Sequence, residues 1–157
     1  MKISVIGAGS WGTTLAILLA EKGFDVKLWC RREELAREIE SKRENRQYLP
    51  GIKIPKNLMA ENSLKDALEN SEIIFSAVPS EFVRSTLKNI RPYYNNQIVV
   101  SATKGMEHST SKRMSQVIED ELETSKIAVL SGPNHAEEVS RKMPTASVIA
   151  SNDKKTA

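Results

Sequence analysis

A chain of 157 residues, 39% hydrophobic and 27% charged, can bury a core without metal or disulfide help and is too apolar to stay disordered. Its one cysteine, Cys30, excludes an internal disulfide, and no apolar run approaches the roughly 18 residues that cross a membrane. The net charge of +3 comes from acids and bases mixed along the chain, which argues against nucleic acid and leaves room for a small anionic ligand.

Ile3, Val5 and Ile6 make a short β-branched run that stops at Gly7 and predict a buried strand. Met1-Lys2 ahead of it is too short for a signal-peptide core, and with the single cysteine this predicts a cytoplasmic protein. Over Thr13–Lys22 the leucines, Ile17 and the alanines predict a helix, closed by Gly23. Phe24 to Cys30 alternates apolar and polar and predicts a second strand; a charged helix follows from Glu33, with Leu35, Ala36 and Ile39 on one side. Asn45–Pro55, with two prolines and a glycine, predicts an irregular loop. A short helix over Ser63–Asn70 carries a Ser63-to-Asp66 cap. "EIIFSAV" is a strand stopped by Pro79, Ser80–Ile90 a helix, "QIVVSAT" a strand, Ser111–Glu123 a helix and "KIAVL" a strand. The loop "SGPNHAEEV" ends in a helical stretch, and "TASVIA" is the last strand. Alternating strands and helices define an α/β chain, a mostly parallel sheet of Rossmann type with helices on both faces. Residues 1–150 form one domain, and 151–157 a polar tail or the start of a linker.

Three of the seven glycines fall within "GAGSWG". Gly7, Gly9 and Gly12 match G-x-G-x-x-G, and here the motif follows a strand, opens a helix and lies in a strand–helix–strand unit of about thirty residues, the context that gives it meaning. Gly7 permits a tight turn, Gly9 lets a pyrophosphate approach the backbone, and Gly12 lets helix and strand pack closely. The phosphates would meet free N–H groups and the positive end of the helix dipole. Trp11 either fills the first helical turn or covers the phosphates and the adjacent pocket.

An acidic residue about twenty positions on binds the ribose 2′-OH in NAD-specific members of this fold. Arg31 and Arg32 occupy that place here. Two cations suit a 2′-phosphate, so NADP is the expected cofactor, with NAD use left open by Glu33. Cys30 is expected to be a small apolar strand residue, not a reactive thiol. His108 and His135 have no evident partner and make no metal site. Glu137-Glu138 is expected to be the first turn of a helix and not a catalytic dyad.

Three more segments stand at strand ends: "SAVPS" (76–80), "SATKGME" (101–107) and "SGPNHAEEV" (131–139). With "GAGSWGT" at the front and "PTA" at 144–146, the chain resembles the bacterial-type NAD(P)-dependent glycerol-3-phosphate dehydrogenases over nearly its whole length. The resemblance implies reversible reduction of dihydroxyacetone phosphate to sn-glycerol 3-phosphate, the phospholipid backbone. It implies cofactor contacts at Ser10, Trp11, Arg31, Arg32, Lys104 and Ala136, and substrate contacts at Lys104, Gly132 and Asn134. Asn134 stands where relatives often have a small hydroxyl residue. Lys104 would aim its ammonium at the substrate's carbonyl or phosphate oxygen. It also implies a second, helical domain, with the proton-transferring lysine and any oligomer contacts, for which 157 residues leave no room. This chain alone is therefore expected to bind nucleotide but turn over substrate poorly. Two rival readings are the cofactor domain of a related hydroxy-acid reductase and a non-catalytic nucleotide-sensing module.

Overall fold

Strand β1 (Lys2–Ile6) lies at the centre of the sheet, and its side chains alternate between two apolar layers. Val5 joins Ala16, Ile17, Val26, Leu28, Leu35 and Ile39 on one face. Ile6 joins Ile74, Val83, Leu87, Val99, Val117 and Ile118 on the other. Burying a side chain of this size contributes roughly 1.5–3 kcal/mol, so a strand apolar on both faces needs helices on both. The computed structural model, which describes residues 1–157, supplies them.

The chain continues through α1 (Ser10–Glu21), β2 (Asp25–Trp29), α2 (Glu33–Lys42), β3 (Glu44–Asn45), β4 (Leu49–Lys53), β5 (Leu58–Glu61), α3 (Leu64–Leu68) and β6 (Ile73–Ser76). It then forms α4 (Ser80–Ile90), a 3₁₀ turn (Arg91–Tyr93), β7 (Ile98–Ser101), α5 (Met114–Leu122), β8 (Ile127–Ser131), α6 (Ala136–Ser140) and β9 (Val148–Ser151). Seven strands make one sheet in the order β5-β2-β1-β6-β7-β8-β9. All neighbours are parallel except β8 and β9. The α/β architecture read from the sequence is thus present, and the strand order reverses between β1 and β6.

Local signals place several boundaries. Gly23 takes φ +88°, and the amides of Gly23 and Phe24 donate to the carbonyls of Ala20 (2.9 Å) and Leu19 (3.3 Å), closing α1 with a left-handed glycine. Ser63 Oγ accepts from the Asp66 amide at 3.2 Å, the cap expected for α3. Glu137 and Glu138 do occupy the first turn of α6.

Four features depart from the sequence reading. Helix α1 starts at Ser10, three residues early, because its first turn is built from Ser, Trp and Gly for close packing and not from helix formers. Strand β5 went unforeseen: "LMAE" lacks β-branched residues, and pairing with β2 makes it a strand. The expected loop at 45–55 contains an antiparallel pair, β3 with β4, where Pro50 is tolerated on a short edge strand and Glu44 Oε1 accepts from the Gly51 amide at 2.9 Å. Helix α5 begins at Met114 and not at Ser111, since Ser111 is left-handed (φ +56°) and Gln116 Oε1 caps the Arg113 amide at 3.0 Å. At the far edge of the sheet, Val148 and Ile149 of β9 are exposed, and residues 152–157 follow as a turn around Asp153.

Candidate functional site

From the carboxyl end of β1 the chain turns to α1 on one face, and from β6 to α4 on the other. A crevice of about 1020 Å³ opens between them at the carboxyl ends of the strands. Each glycine of the opening motif has a distinct place there. A Cβ on Gly12 would lie 1.8 Å from the Gly7 carbonyl oxygen, so only glycine lets α1 approach the end of β1 this closely. Gly7 has φ +113°, and a Cβ there would meet Ala77 and Val78 of the neighbouring strand end at 3.0 Å. A Cβ on Gly9 would have nothing within 4 Å, and Gly9 lines the crevice. Gly9 is also the N-cap of α1, without a side-chain cap, and the first turn holds no acid. The helical ladder begins with Thr13 N–H to Gly9 O at 3.0 Å, so the amides of Ser10, Trp11 and Gly12 precede it. Bare backbone, an uncapped helix start and open space in front of it fit an anionic diphosphate.

The loop is braced by a residue the sequence reading placed only in an irregular segment. Asn45 is fully buried; its Nδ2 donates to the Ala8 carbonyl at 2.9 Å and to Thr13 Oγ1 at 2.8 Å, and its Oδ1 accepts from the Tyr48 amide at 3.2 Å. Trp11 does more than fill its own turn: its Nε1 donates to the Ala102 carbonyl at 3.2 Å, so the indole bridges α1 to the end of β7 along the crevice wall.

Arg31 and Arg32 are exposed at the end of β2 and line the same crevice. The Arg31 guanidinium lies 5.7 Å from the centroid of the Phe82 ring, a residue the sequence reading passed over. Arg32 donates to Gln47 Oε1. Neither pairs with a carboxylate, since neighbouring Glu33 is taken by Arg37. Asn62 fixes the backbone beneath them, donating to the carbonyls of Cys30 and Arg31 at 3.0 Å each. Cys30 is buried, and burial first, then the Glu40 carboxylate, pushes its thiol up to about 12; it packs in the core as an inert apolar residue.

Lys104 follows β7, and its Nζ donates to the Asn134 carbonyl at 2.8 Å while lying 6.0 Å from the Trp11 ring centroid. Asn134 and Ala136 line the crevice beside it. The Asn134 Nδ2 donates to Ser147 Oγ at 3.0 Å, and its buried Oδ1 has no partner. The Ala136 carbonyl accepts from Thr14 Oγ1 at 3.2 Å, tying α6 to α1. Gly132 stands back from the crevice wall at φ +153°, where a Cβ would fall 2.3 Å from the Ala146 carbonyl oxygen. Of the histidines, His135 lines the crevice as N-cap of α6, and His108 lies apart in the loop before α5. Gly7, Gly9, Ser10, Trp11, Arg31, Arg32, Lys104, Asn134 and Ala136 therefore meet in one cavity; Gly12 and Gly132 shape it from behind.

A charged cluster without any local sequence pattern lies beside the Lys104 loop. Arg84 of α4 grips Glu107 with two bonds, Nε to Oε1 at 2.7 Å and Nη2 to Oε2 at 2.8 Å. It also reaches Glu121 at 2.6 Å and Asp120 at 3.2 Å, both on α5. Arg84, then the Thr110 hydroxyl, hold the Glu107 carboxyl down at about 2.

The strand order, the glycine turn and the uncapped helix facing a crevice at the reversal point define a Rossmann-type dinucleotide-binding domain. The chain matches the family described as NAD-dependent glycerol-3-phosphate dehydrogenase N-terminus over residues 2–157, and it belongs to that family. It is 49% identical to a glycerol-3-phosphate dehydrogenase (NAD(P)+) of Chlorobium phaeobacteroides strain BS1, over 100% of this chain and 48% of that protein. It is 46% identical to that of Moorella thermoacetica, over 99% of this chain and 46% of the relative. The crystal structure of glycerol-3-phosphate dehydrogenase from Coxiella burnetii superposes with a TM-score of 0.91 at 35% identity, covering 98% of this chain and 47% of that one. The chain thus spans about half the length of the relatives it matches. No helix is long and apolar enough to cross a membrane.

Three outcomes follow. Gly9→Ala adds a methyl group that touches no protein atom, so its melting temperature should match wild type while affinity for a dinucleotide falls about tenfold or more. Gly12→Ala, forced against the Gly7 carbonyl, should lower stability by roughly 1–3 kcal/mol and lose affinity with it; thermal melts and calorimetric titrations of both variants separate the two. Glu107 titrates lower folded than unfolded, from 4.5 down to about 2, so its contribution to stability is complete above the higher value and lost as pH falls through the lower one. Urea melts of wild type and Glu107→Gln should differ fully at neutral pH and converge as the pH approaches about 2; a pH-independent difference would contradict this.

Proposed function

We propose that the crevice holds NADP(H), and that the chain is the cofactor-binding half of an enzyme interconverting dihydroxyacetone phosphate and sn-glycerol 3-phosphate, a glycerophospholipid precursor, in the cytoplasm. The observation that carries this reading is the meeting of two opposite preparations in one cavity: an uncapped helix start behind Gly9, suited to a diphosphate, and the Lys104 ammonium beside Trp11 and Asn134, suited to a substrate oxygen. Family membership supports the cofactor class, and the names of the relatives support the reaction.

The residues divide the work. The amides of Ser10, Trp11 and Gly12 receive the diphosphate. Arg31 and Arg32, free of carboxylate partners, hold a 2′-phosphate, with guanidinium forks matched to its oxygens. Trp11 walls the crevice, and Ala136 closes it from α6. When bound, the nicotinamide supplies or accepts the hydride. Lys104, whose Nζ donates to the Asn134 carbonyl, stabilises the negative charge that grows on the carbonyl oxygen during reduction. Asn134 on the crevice wall, with Gly132 behind it, marks the substrate end. Full turnover needs the part of the polypeptide that the longer relatives carry beyond the matched half, because hydride transfer requires both reactants held in a closed site.

Titrating the chain with NADPH and NADH tests the cofactor. NADPH should bind more tightly, and Arg31→Ala combined with Arg32→Ala should weaken NADPH by about tenfold or more, the worth of lost charge-assisted bonds, while changing NADH little. Equal affinities in the wild type, or equal losses in the variant, would overturn the preference.

A further inference from the structure

Lys104 lies on a segment tied down at both ends. On its near side Thr103 Oγ1 donates to the carbonyls of Ser76 and Val78, at 3.2 and 2.9 Å, which fixes it to the end of β6. Gly105 follows with φ +97°, a position where the backbone can swivel, and Met106 beyond it is exposed. Glu107 is the next fixed point. Its carboxylate accepts two bonds from Arg84 and one from Thr110, its amide donates to the Lys112 carbonyl at 2.9 Å, and its own carbonyl accepts from the Ser111 amide at 2.8 Å.

We propose that Glu107, gripped by Arg84, is a positioning residue that sets the direction of the Lys104 ammonium. The plain alternative is that the cluster only staples α4 to α5. The contacts of Arg84 with Glu121 and Asp120 already do that. The bidentate grip is spent on Glu107, which belongs to neither helix and whose backbone leads, through Met106 and Gly105, to Lys104. Glu107 is 8% exposed, so the pairing is shielded from water and holds its geometry better than a surface pair. The Lys104 side chain is long and flexible, and its polar contact within the protein is the Asn134 carbonyl; freeing its backbone would spread the ammonium over many directions.

This inference rests on the reading, implied by the resemblance, that Lys104 contacts the nucleotide as well as the substrate oxygen, and a double-mutant cycle separates the two claims. NADPH affinity is measured by titration for wild type, Lys104→Met, Glu107→Gln and the double variant. Lys104→Met should weaken binding about tenfold, the scale of one charge-assisted contact. Glu107→Gln should produce most of that loss, and the double variant should bind no worse than Lys104→Met. Asp120→Asn, which touches the same arginine from α5, should lower the melting temperature and leave affinity unchanged. Should Glu107→Gln not fold, Thr110→Val removes one bond and leaves the ion pair, and its smaller loss should likewise vanish in the Lys104→Met background. Losses from Glu107 and Lys104 that multiply, or a folded Glu107→Gln with wild-type affinity, would overturn the positioning role alone. No loss in Lys104→Met would overturn the nucleotide contact itself, and the proposal with it.

Discussion

Gly12 of α1 and the carbonyl of Gly7 at the end of β1 lie closer than any side chain permits; a single added carbon would sit 1.8 Å from that oxygen. This approach lets the helix start directly above the strand end, so its first amides open into the crevice and do not slide past it. Gly7 keeps the turn tight against β6, and Asn45 grips the Ala8 carbonyl so that the loop cannot relax. Gly9 is left with nothing in front of it. The direction of this helix start is thus a consequence of packing: one close contact fixes it, and the amides it presents are of the kind that suits an anion.

The other side of the crevice is built on the opposite principle. Positive charge there sits on flexible side chains, and the fold spends hydrogen bonds to aim it. Asn62 clamps the backbone under Arg31, the Asn134 carbonyl receives Lys104, and Trp11 spans from the glycine loop to Ala102. The two halves meet at Trp11, whose ring centroid lies 6.0 Å from the Lys104 ammonium. The ion cluster around Arg84 continues this logic one layer further out, joining α4, α5 and the Lys104 loop at one guanidinium.

Much of this was legible in the amino-acid order because its causes are local. The β-branched run before Gly7, the glycine spacing, Gly23 after a helical stretch and the Ser63 cap each act within a few residues. Arg31, Arg32 and Lys104 were legible for a related reason: they stand just past strands, and strand ends in a parallel sheet converge. What stayed hidden is non-local. Asn45 acts on Ala8 from 37 residues away, and Arg84 finds Glu107 across 23 residues. Neither carries a pattern that announces its partner. Strand β5 is the same lesson in the backbone, since "LMAE" has no strand signature and extends only because β2 offers an edge. Gly132 shows the same limit, since its place against the Ala146 carbonyl depends on a segment fourteen residues on.

The central claim is that the unpaired amides at the start of α1 receive a dinucleotide's diphosphate. Amide proton and nitrogen shifts, followed residue by residue as NADPH is added to labelled protein, test it most directly. The largest downfield proton shifts are expected at Ser10, Trp11 and Gly12, with saturation at the same concentration as the Trp11 indole signal. Saturable binding that leaves those three amides unmoved would contradict it.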